Sequence, residues 1–402
     1  MNFELSDRQK LLSKSIREFA RRQVPDALVR DIDDGPIGFS PDIWREMSSL
    51  GWTGWIFPEE YGGLGGSILD LAVMYEEFGR ALIPSPHLST VVLCGLTILM
   101  AGTDEQKAEL LHKIAKGNLI LALAFTEPSA RWDAGGIDVR ANPEGDEYII
   151  NGTKLFVHDA HISDYLICVA RTKDASDPKD GITLFLVDNK AAGLSCTLLK
   201  TTSSDNKQSE VVFNNVRVPR SHIIGRLHCG WSVLEKVLKH GAIMLCAEMV
   251  GAGERLLEMT VEYAKTRVQF EQPIGINQYV QEHCVYLLAE VKGSKRVTYQ
   301  AAWMLSDGLP CDMEVAIAKA WTSDAHERAC WRAHSVFAGI GSVTGMGTLY
   351  IFTKRAKTSQ LYLGDAAYHR NKVAQQLDNW TLEMPKGKPL GLWDKEQVSC
   401  WP

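Results

Sequence analysis

The sequence is short of the features that would fix its partners from composition alone. It has no long run of lysine or arginine. Its formal charge of -6 and pI near 6.0 leave no basic surface to neutralise a phosphate backbone, which excludes nucleic acid as a partner. It has no Cys-x-x-Cys pair. Its nine cysteines are scattered from Cys94 to Cys400 in a chain of 402 residues, which is too large to need disulfide staples, so they read as reduced thiols of an intracellular protein. It has no apolar run long enough to span a bilayer. The most apolar stretch, Val91 to Ala101, carries Cys94, Gly95 and Thr97 and reads as a buried helix, so no membrane-spanning segment is expected. Residues Met1 to Asp7 lack the charged, apolar or Arg-rich pattern of a leader and enter a helical pattern at once, so a cytoplasmic location is expected. Internal repeats and low-complexity segments are missing as well.

What is present is the composition of a globular chain with room for two or three domains: 45% hydrophobic and 23% charged. Apolar residues recur at helical spacing from Ser6 to Val24 (Leu11, Leu12, Ile16, Phe19). Helical patterns follow over 41–50, 67–81 and 104–116, broken at Pro58, Gly62-Gly63 and Pro84. From Leu119 the pattern turns to short β-branched and apolar runs at 119–125, 147–150, 165–170, 181–187 and 209–213. After Gly230 the helical period returns over 231–266, 278–305, 313–337 and 345–358. The expected organisation is α+β: an N-terminal helical domain (1–118), a β-barrel-like middle domain (119–229), a C-terminal four-helix bundle (230–384) and a tail (385–402).

Several motifs fall into this frame in order: Phe57-Pro58-Glu59-Glu60-Tyr61-Gly62-Gly63-Leu64-Gly65, Gly102-Thr103-Asp104-Glu105-Gln106-Lys107, Thr126-Glu127-Pro128, Ile150-Asn151-Gly152-Thr153-Lys154, Phe213-Asn214-Asn215-Val216-Arg217-Val218-Pro219, and Tyr263-Ala264-Lys265-Thr266-Arg267 with Phe270 and Ile274-Gly275. Together they resemble the acyl-CoA dehydrogenases from the N-terminus to about Leu377. The resemblance implies an FAD-dependent enzyme acting on a coenzyme A thioester, with an electron-transfer flavoprotein as partner. It also implies a homo-oligomer, dimer or tetramer, whose subunits share the cofactor sites. By the same resemblance Thr126 hydrogen-bonds the flavin ring, Phe156 stands where a stacking tryptophan is usual, and His158 replaces a flavin-contacting threonine. Arg267, Phe270 and Gln278 correspond to residues that reach the pyrophosphate and adenine, where a fixed guanidinium and amide suit phosphate and ring acceptors. Gly339 and Gly341 resemble the glycines that admit a close dinucleotide approach.

The departures concentrate on the chemistry. Leu363 stands where the family carries the glutamate that removes the α-proton, and a leucine accepts no proton. Gly241 matches a second family position for that glutamate and is empty too. Ala242 replaces an arginine near the thioester, Ser335 a glutamine at the cofactor, and Arg131-Trp132 a small Gly-Ser turn. Two carboxylates are candidate replacements. Asp365 lies two residues past Leu363, with helix capping as its alternative role. Glu248 lies seven residues past Gly241 on the same helix face. Lys239 and His240 read as a solvated pair. A metal reading of His158-Asp159-Ala160-His161 is set aside for a cofactor contact, and His326 with Cys330 lacks a third ligand nearby, so no metal is expected. Trp52 and Trp55 read as interhelical packing.

Loss of both polar groups makes the pocket compatible with a cyclic or branched acyl group. Three readings follow. The first is an acyl-CoA oxidoreductase with a displaced base. The second is a non-catalytic subunit of a heteromer with a related chain. The third is a non-oxidising acyl-CoA lyase on the same fold.

Overall fold

In the computed structural model, residues 4–201, 207–343 and 349–378 are described. Helix α1 (Asp7–Gln23) starts at a capping box between Ser6 and Gln9. It buries Leu12, Ile16 and Phe19, spaced at one face of a 3.6-residue period, while Leu11 points outward. α2 (Asp26–Asp34) and α3 (Pro41–Ser49) follow, the latter opened by Ser40 with proline in its first turn. α4 (Ile68–Ala81) begins at a Ser67–Asp70 box. The apolar stretch is buried as expected, but as a π-helical segment, Leu88–Gly95, running into α5 (Leu96–Ala101). A second π-helical segment, Lys107–Leu111, joins α6 (Asp104–Gln106) to α7 (His112–Ala115). Trp52 packs edge-on against Phe19 at 5.0 Å between these helices, and Arg8 lies over Trp55.

The middle of the chain is one eight-stranded sheet: β1 (Leu121–Ala124), β2 (Arg140–Glu144), β3 (Glu147–His158), β4 (Tyr165–Arg171), β5 (Ile182–Asp188), β6 (Leu194–Leu198), β7 (Gln208–Pro219) and β8 (Ile223–Ile224). Its order is β6-β7-β3-β2-β4-β5-β8, with β1 parallel to β4. Tyr148 on β3 and Phe185 on β5 would lie about 14 Å apart in a flat sheet, three strand spacings. Their ring centroids are 5.2 Å apart, so the sheet folds over a core of its own. The barrel-like expectation is thus realised as a folded sheet whose edge strands β6 and β8 do not pair with each other. Three strands of this sheet were not legible, among them the two-residue β8. β2 contains Pro143, whose missing N–H is tolerated because β2 meets β4 only at Arg140. β6 is a short, half-exposed edge strand.

Three long antiparallel helices, α8 (Gly230–Thr266), α9 (Gln278–Ser306) and α10 (Asp312–Phe337), form the bundle with α11 (Leu349–Leu361) and α12 (Ala366–Asp378). A two-stranded hairpin, β9 (Val268–Gln269) and β10 (Gln272–Pro273), links α8 to α9. α4 joins the bundle at backbone contact: a Cβ on Gly79 would sit 1.9 Å from the Glu248 carbonyl oxygen, and one on Gly251 1.7 Å from that of Glu76. Around this crossing the buried Glu76 accepts from Lys295 Nζ at 2.7 Å and Tyr299 Oη at 2.8 Å, and Arg17 pairs with Glu77 at 2.8 Å. The eight described cysteines are all free. Among the described residues no helix is long and apolar enough to cross a membrane.

Two histidines sit deep in this framework. His87 donates from Nε2 to the Trp52 carbonyl and accepts from Tyr75 Oη at 2.8 Å, and burial brings its pKa down to about 4. Burial does the same to His326, also to about 4. Both hold less proton when folded than when unfolded, so their contribution is complete above the ordinary histidine pKa of about 6.5 and is lost as pH falls towards 4. The urea midpoint is therefore expected to fall steeply between pH 6.5 and 4.5, and His326→Leu to flatten that slope. Equilibrium unfolding at a series of pH values checks this; a slope unchanged in the variant would contradict it.

Candidate functional site

The site is built on two buried lysines. The first, Lys154 on β3, is fully buried and donates to Glu127 at 2.6 Å and to the Phe125 carbonyl at 3.1 Å. Glu127 also accepts from the backbone N–H groups of Asp138 (2.8 Å) and Val139 (3.1 Å), so its charge is met on three sides. This pair, with Leu155 N–H donating to the Thr126 carbonyl at 2.8 Å, fixes Thr126 at the end of β1.

The second, Lys319 on α10, is also fully buried. Its ammonium donates to the carbonyls of Ser359 (2.9 Å), Gln360 (2.9 Å) and Gly364 (3.1 Å) and to Ser323 Oγ (3.2 Å). It holds the end of α11 and the reversal that follows, where Leu363 (φ 60°) and Gly364 (φ 99°) both take left-handed conformations. A leucine there is strained, and glycine at 364 is demanded by both φ and crowding: a Cβ would meet Tyr368 Cδ1 at 2.4 Å. Burial lowers the pKa of Lys319 to about 8, with Cys246 and then Asp365 pulling it back up.

Between the two lysines lies a groove of about 430 Å³, which brings together three residues expected at the cofactor, Thr126, Phe156 and His158, and the candidate base Asp365, with Gln208, Lys357 and Tyr362. Phe156 has a positive φ (55°) and remains 43% exposed, an aromatic face presented to the groove at a backbone cost. His158 stacks on Tyr362 at 3.8 Å and accepts from the Gln208 amide. Broad apolar walls with hydroxyl, amide and imidazole groups at the edges suit a planar heterocycle such as the flavin of FAD. Asp159 accepts from Ser89 at 2.5 Å and His161 donates to the Ile37 carbonyl at 2.9 Å, so the His158–His161 side chains diverge to separate partners.

The remaining cofactor candidates lie elsewhere. From Ala242 to the end of α8 the chain climbs about 36 Å at 1.5 Å per residue. Arg267, Phe270 and Gln278 therefore sit at the far end of the bundle, exposed, with Phe270 wholly so. Gly339 is exposed, with no other side chain or strand within 4 Å of where a Cβ would sit, whereas a Cβ on Gly341 would meet Leu349 at 2.7 Å. Ser335 is exposed on α10, its hydroxyl donating to the Trp331 carbonyl.

The two candidate carboxylates part company. Asp365 caps α12, its Oδ1 accepting from Tyr368 N–H at 2.7 Å. Glu248 lies 3.8 Å from Arg355 in a second, nearly filled cavity of about 40 Å³ on the other side of the His158–Tyr362 pair, which also holds Tyr75, His87, Ser89 and Asp159. Neither lines the cavity that contains Leu363.

That third cavity, of about 290 Å³, is walled by Phe125, Trp132 and Trp231, by Glu235, Leu238, Lys239 and Ala242 of α8, by Asp312 of α10 and by Tyr368, His369 and Lys372 of α12. Leu363 closes its floor. A Cβ on Gly241 would meet Leu363 Cδ1 and Leu93 Cδ2, each at 2.7 Å, so the two positions from which a base was expected touch one another and are filled by hydrocarbon. Trp132 lines both this cavity and the groove, tethered by Tyr368 Oη donating to its carbonyl at 2.9 Å. Lys239 pairs with Asp312, and His240 donates to the Lys236 carbonyl at 2.8 Å. His369 was passed over in the sequence, although it stands within two turns of Leu363. The helix that carries it was not legible either.

Models of the acyl-CoA dehydrogenase N-terminal, middle and C-terminal domains match residues 6–118, 122–216 and 228–377. The chain is 33% identical to a 3-(aryl)acrylate reductase of Clostridium sporogenes over 84% of this chain and 90% of that one. It is 30% identical to the probable acyl-CoA dehydrogenase YngJ of Bacillus subtilis over 94% of this chain and all of the other. Among solved structures, an FAD complex of PigA superposes with a TM-score of 0.87 at 26% identity, covering 94% and 99% of the two chains.

Because Lys319 supplies the donors for three buried carbonyls, Lys319→Met is expected to cost about 3 kcal/mol or more. Lys357→Met, which removes a half-exposed partner of Glu327, is expected to cost under about 1 kcal/mol. Urea unfolding of both variants checks the contrast.

Proposed function

The chain belongs to the acyl-CoA dehydrogenase family, and from that premise we propose that it is an FAD-dependent oxidoreductase acting on a compact, ring-bearing or branched acyl-CoA thioester, with its base displaced from position 363. One observation carries the reading. The floor on which a catalytic carboxylate is expected is a sealed Leu363–Gly241–Leu93 contact, beneath a wall of three aromatic rings. Such a chamber favours a flat or branched acyl group through contact area. The adjoining cavity supports the same limit. With Tyr75–His87, Ser89–Asp159 and Glu248–Arg355 paired inside it, about 40 Å³ is left, which admits no long chain. The resemblance to a 3-(aryl)acrylate reductase agrees with a ring-bearing group.

FAD, when bound, accepts a hydride from the substrate and passes electrons onward. Thr126, Phe156, His158 and Gln208 would hold its ring system in the groove. Arg267, Phe270, Gln278 and Gly339 would serve the dinucleotide end of a neighbouring subunit's cofactor, which accounts for their distance from their own groove. Exposed Tyr279, Val285, Tyr286 and Trp331 on α9 and α10 support association of subunits. An electron-transfer flavoprotein is the proposed electron acceptor.

The test is the anaerobic absorption spectrum of the chain expressed alone, with butanoyl-, cyclohexanecarbonyl- and 3-phenylpropanoyl-CoA. A yellow protein bleached faster by one of the ring-bearing thioesters than by butanoyl-CoA is expected. A colourless protein would favour the non-catalytic subunit of a heteromer. A yellow protein that turns over a thioester without bleaching or any acceptor would favour the lyase.

A further inference from the structure

We propose that His369 is the proton acceptor of this site, taking over from α12 the role that Leu363 cannot perform. The assignment rests on the acyl thioester reading above and on three features of the cavity.

His369 is 4% exposed and lines the same chamber as Leu363 and Ala242. Its Nε2 lies 3.0 Å from the Leu363 carbonyl oxygen, an acceptor only, so Nε2 carries the hydrogen and donates it. The tautomer is thereby fixed: Nδ1 holds the lone pair, and this buried atom has no hydrogen-bond partner. A buried acceptor left unpaired costs free energy, and a small shift of the ring or of the chamber wall beside it would offer Nδ1 to a ligand's proton.

The second feature is the anchor. The carbonyl that orients the imidazole belongs to the residue standing at the family's base position, and Lys319 fixes the same turn from below through the carbonyls of Ser359, Gln360 and Gly364. A base needs a group behind it that sets its tautomer and aim, and the backbone of Leu363 does this for His369. The third feature is a matching orphan. Trp231, 5% exposed in the wall of the chamber, has a buried indole N–H without an acceptor. One unpartnered acceptor and one unpartnered donor fit a ligand that brings both a removable proton and a carbonyl oxygen, as an acyl thioester does.

The charged groups around the ring are Lys319 on α10, Lys372 on α12, and Asp365 before it. Burial, reinforced by Lys319 and Lys372 against the opposing pull of the Leu363 hydrogen bond and of Asp365, keeps the pKa low, at about 3. The resting imidazole is therefore neutral at neutral pH, and the same burial disfavours the imidazolium that proton transfer forms. In the step assigned to it, the α C–H bond breaks, its proton goes to Nδ1, and its electron pair forms the new C=C bond. The β C–H bond would break with its pair, a hydride for which FAD held by Thr126, Phe156, His158 and Gln208 would supply the two-electron acceptor. The α,β-unsaturated thioester and an imidazolium would remain.

The experiment reads proton abstraction apart from oxidation. FAD-loaded full-length protein is incubated in D₂O without oxygen with 3-phenylpropanoyl-CoA and with the non-oxidisable (phenylthio)acetyl-CoA, and α-deuteration is followed by mass spectrometry. His369→Gln retains an N–H for the Leu363 carbonyl but has no basic lone pair, and His369→Ala opens space for added imidazole. Exchange is expected to fall about 100-fold or more in both, the contribution typical of general-base catalysis. Thioester affinity should be little changed, and imidazole should restore exchange in His369→Ala. The assignment is overturned if either variant, with wild-type melting temperature and flavin spectrum, exchanges within about threefold of the wild type. If the wild type itself neither exchanges nor bleaches with any acyl thioester, the acyl thioester reading falls. If it does both and the variant matches it, only the assignment to His369 falls.

Discussion

One buried ammonium group organises the chemistry of this chain. Lys319 gathers the carbonyls of Ser359, Gln360 and Gly364 about a single charge, and so ends α11, forces the left-handed pair Leu363–Gly364, and sets where α12 begins. Unpaired buried carbonyls and an unpaired buried charge would each be costly, and together they satisfy one another. Everything downstream depends on this turn. Asp365 caps α12, Tyr368 reaches the Trp132 carbonyl, and His369 reaches the Leu363 carbonyl. The opposite wall of the groove repeats the device, with Lys154 and Glu127 locking the Thr126 turn to β3. Two rigid turns, each tied to a buried lysine, face one another across the space where a cofactor and a thioester would meet.

Hydrocarbon contact between Leu363, Leu93 and Gly241 fills both positions at which the resemblance led us to expect a carboxylate. A carboxylate added on either side would have to displace the leucine, so neither position changes independently of the other. The chamber wall also holds two buried polar atoms without partners, the Nδ1 of His369 and the indole Nε1 of Trp231. The carboxylates of the chamber itself, Glu235 and Asp312, pair with Lys179 and Lys239, while Asp365 caps a helix and Glu248 lies near Arg355.

Much of the fold was legible because helix periodicity and capping are local. The Ser6–Gln9, Ser67–Asp70 and Thr103–Gln106 boxes mark helix starts, and α1, α4, α8, α9 and α10 lie within a residue or two of the expected spans. The elements missed are those whose stability comes from tertiary contacts. α2 is short, and Pro25 at its N-cap position offers no side-chain cap. β2 contains proline. α12 is held by Lys319 and Trp132 rather than by its own pattern. At the site, the groove residues Thr126, Phe156 and His158 were readable from motif order. The contact between Gly241 and Leu363 was not, because it joins residues far apart in the chain. His369 had a signal, a histidine four residues after the capping Asp365, but its meaning depends on which carbonyl its Nε2 meets.

The most direct test of the account is an experimental structure of the FAD-loaded protein with a non-oxidisable thioester such as (phenylthio)acetyl-CoA bound. The account predicts the ring against Phe125, Trp132 and Trp231, with the α-carbon about 3–3.5 Å from His369 Nδ1, a reacting distance. An α-carbon placed against Asp365, Glu248 or a carboxylate of another subunit, with His369 Nδ1 turned away, would contradict it.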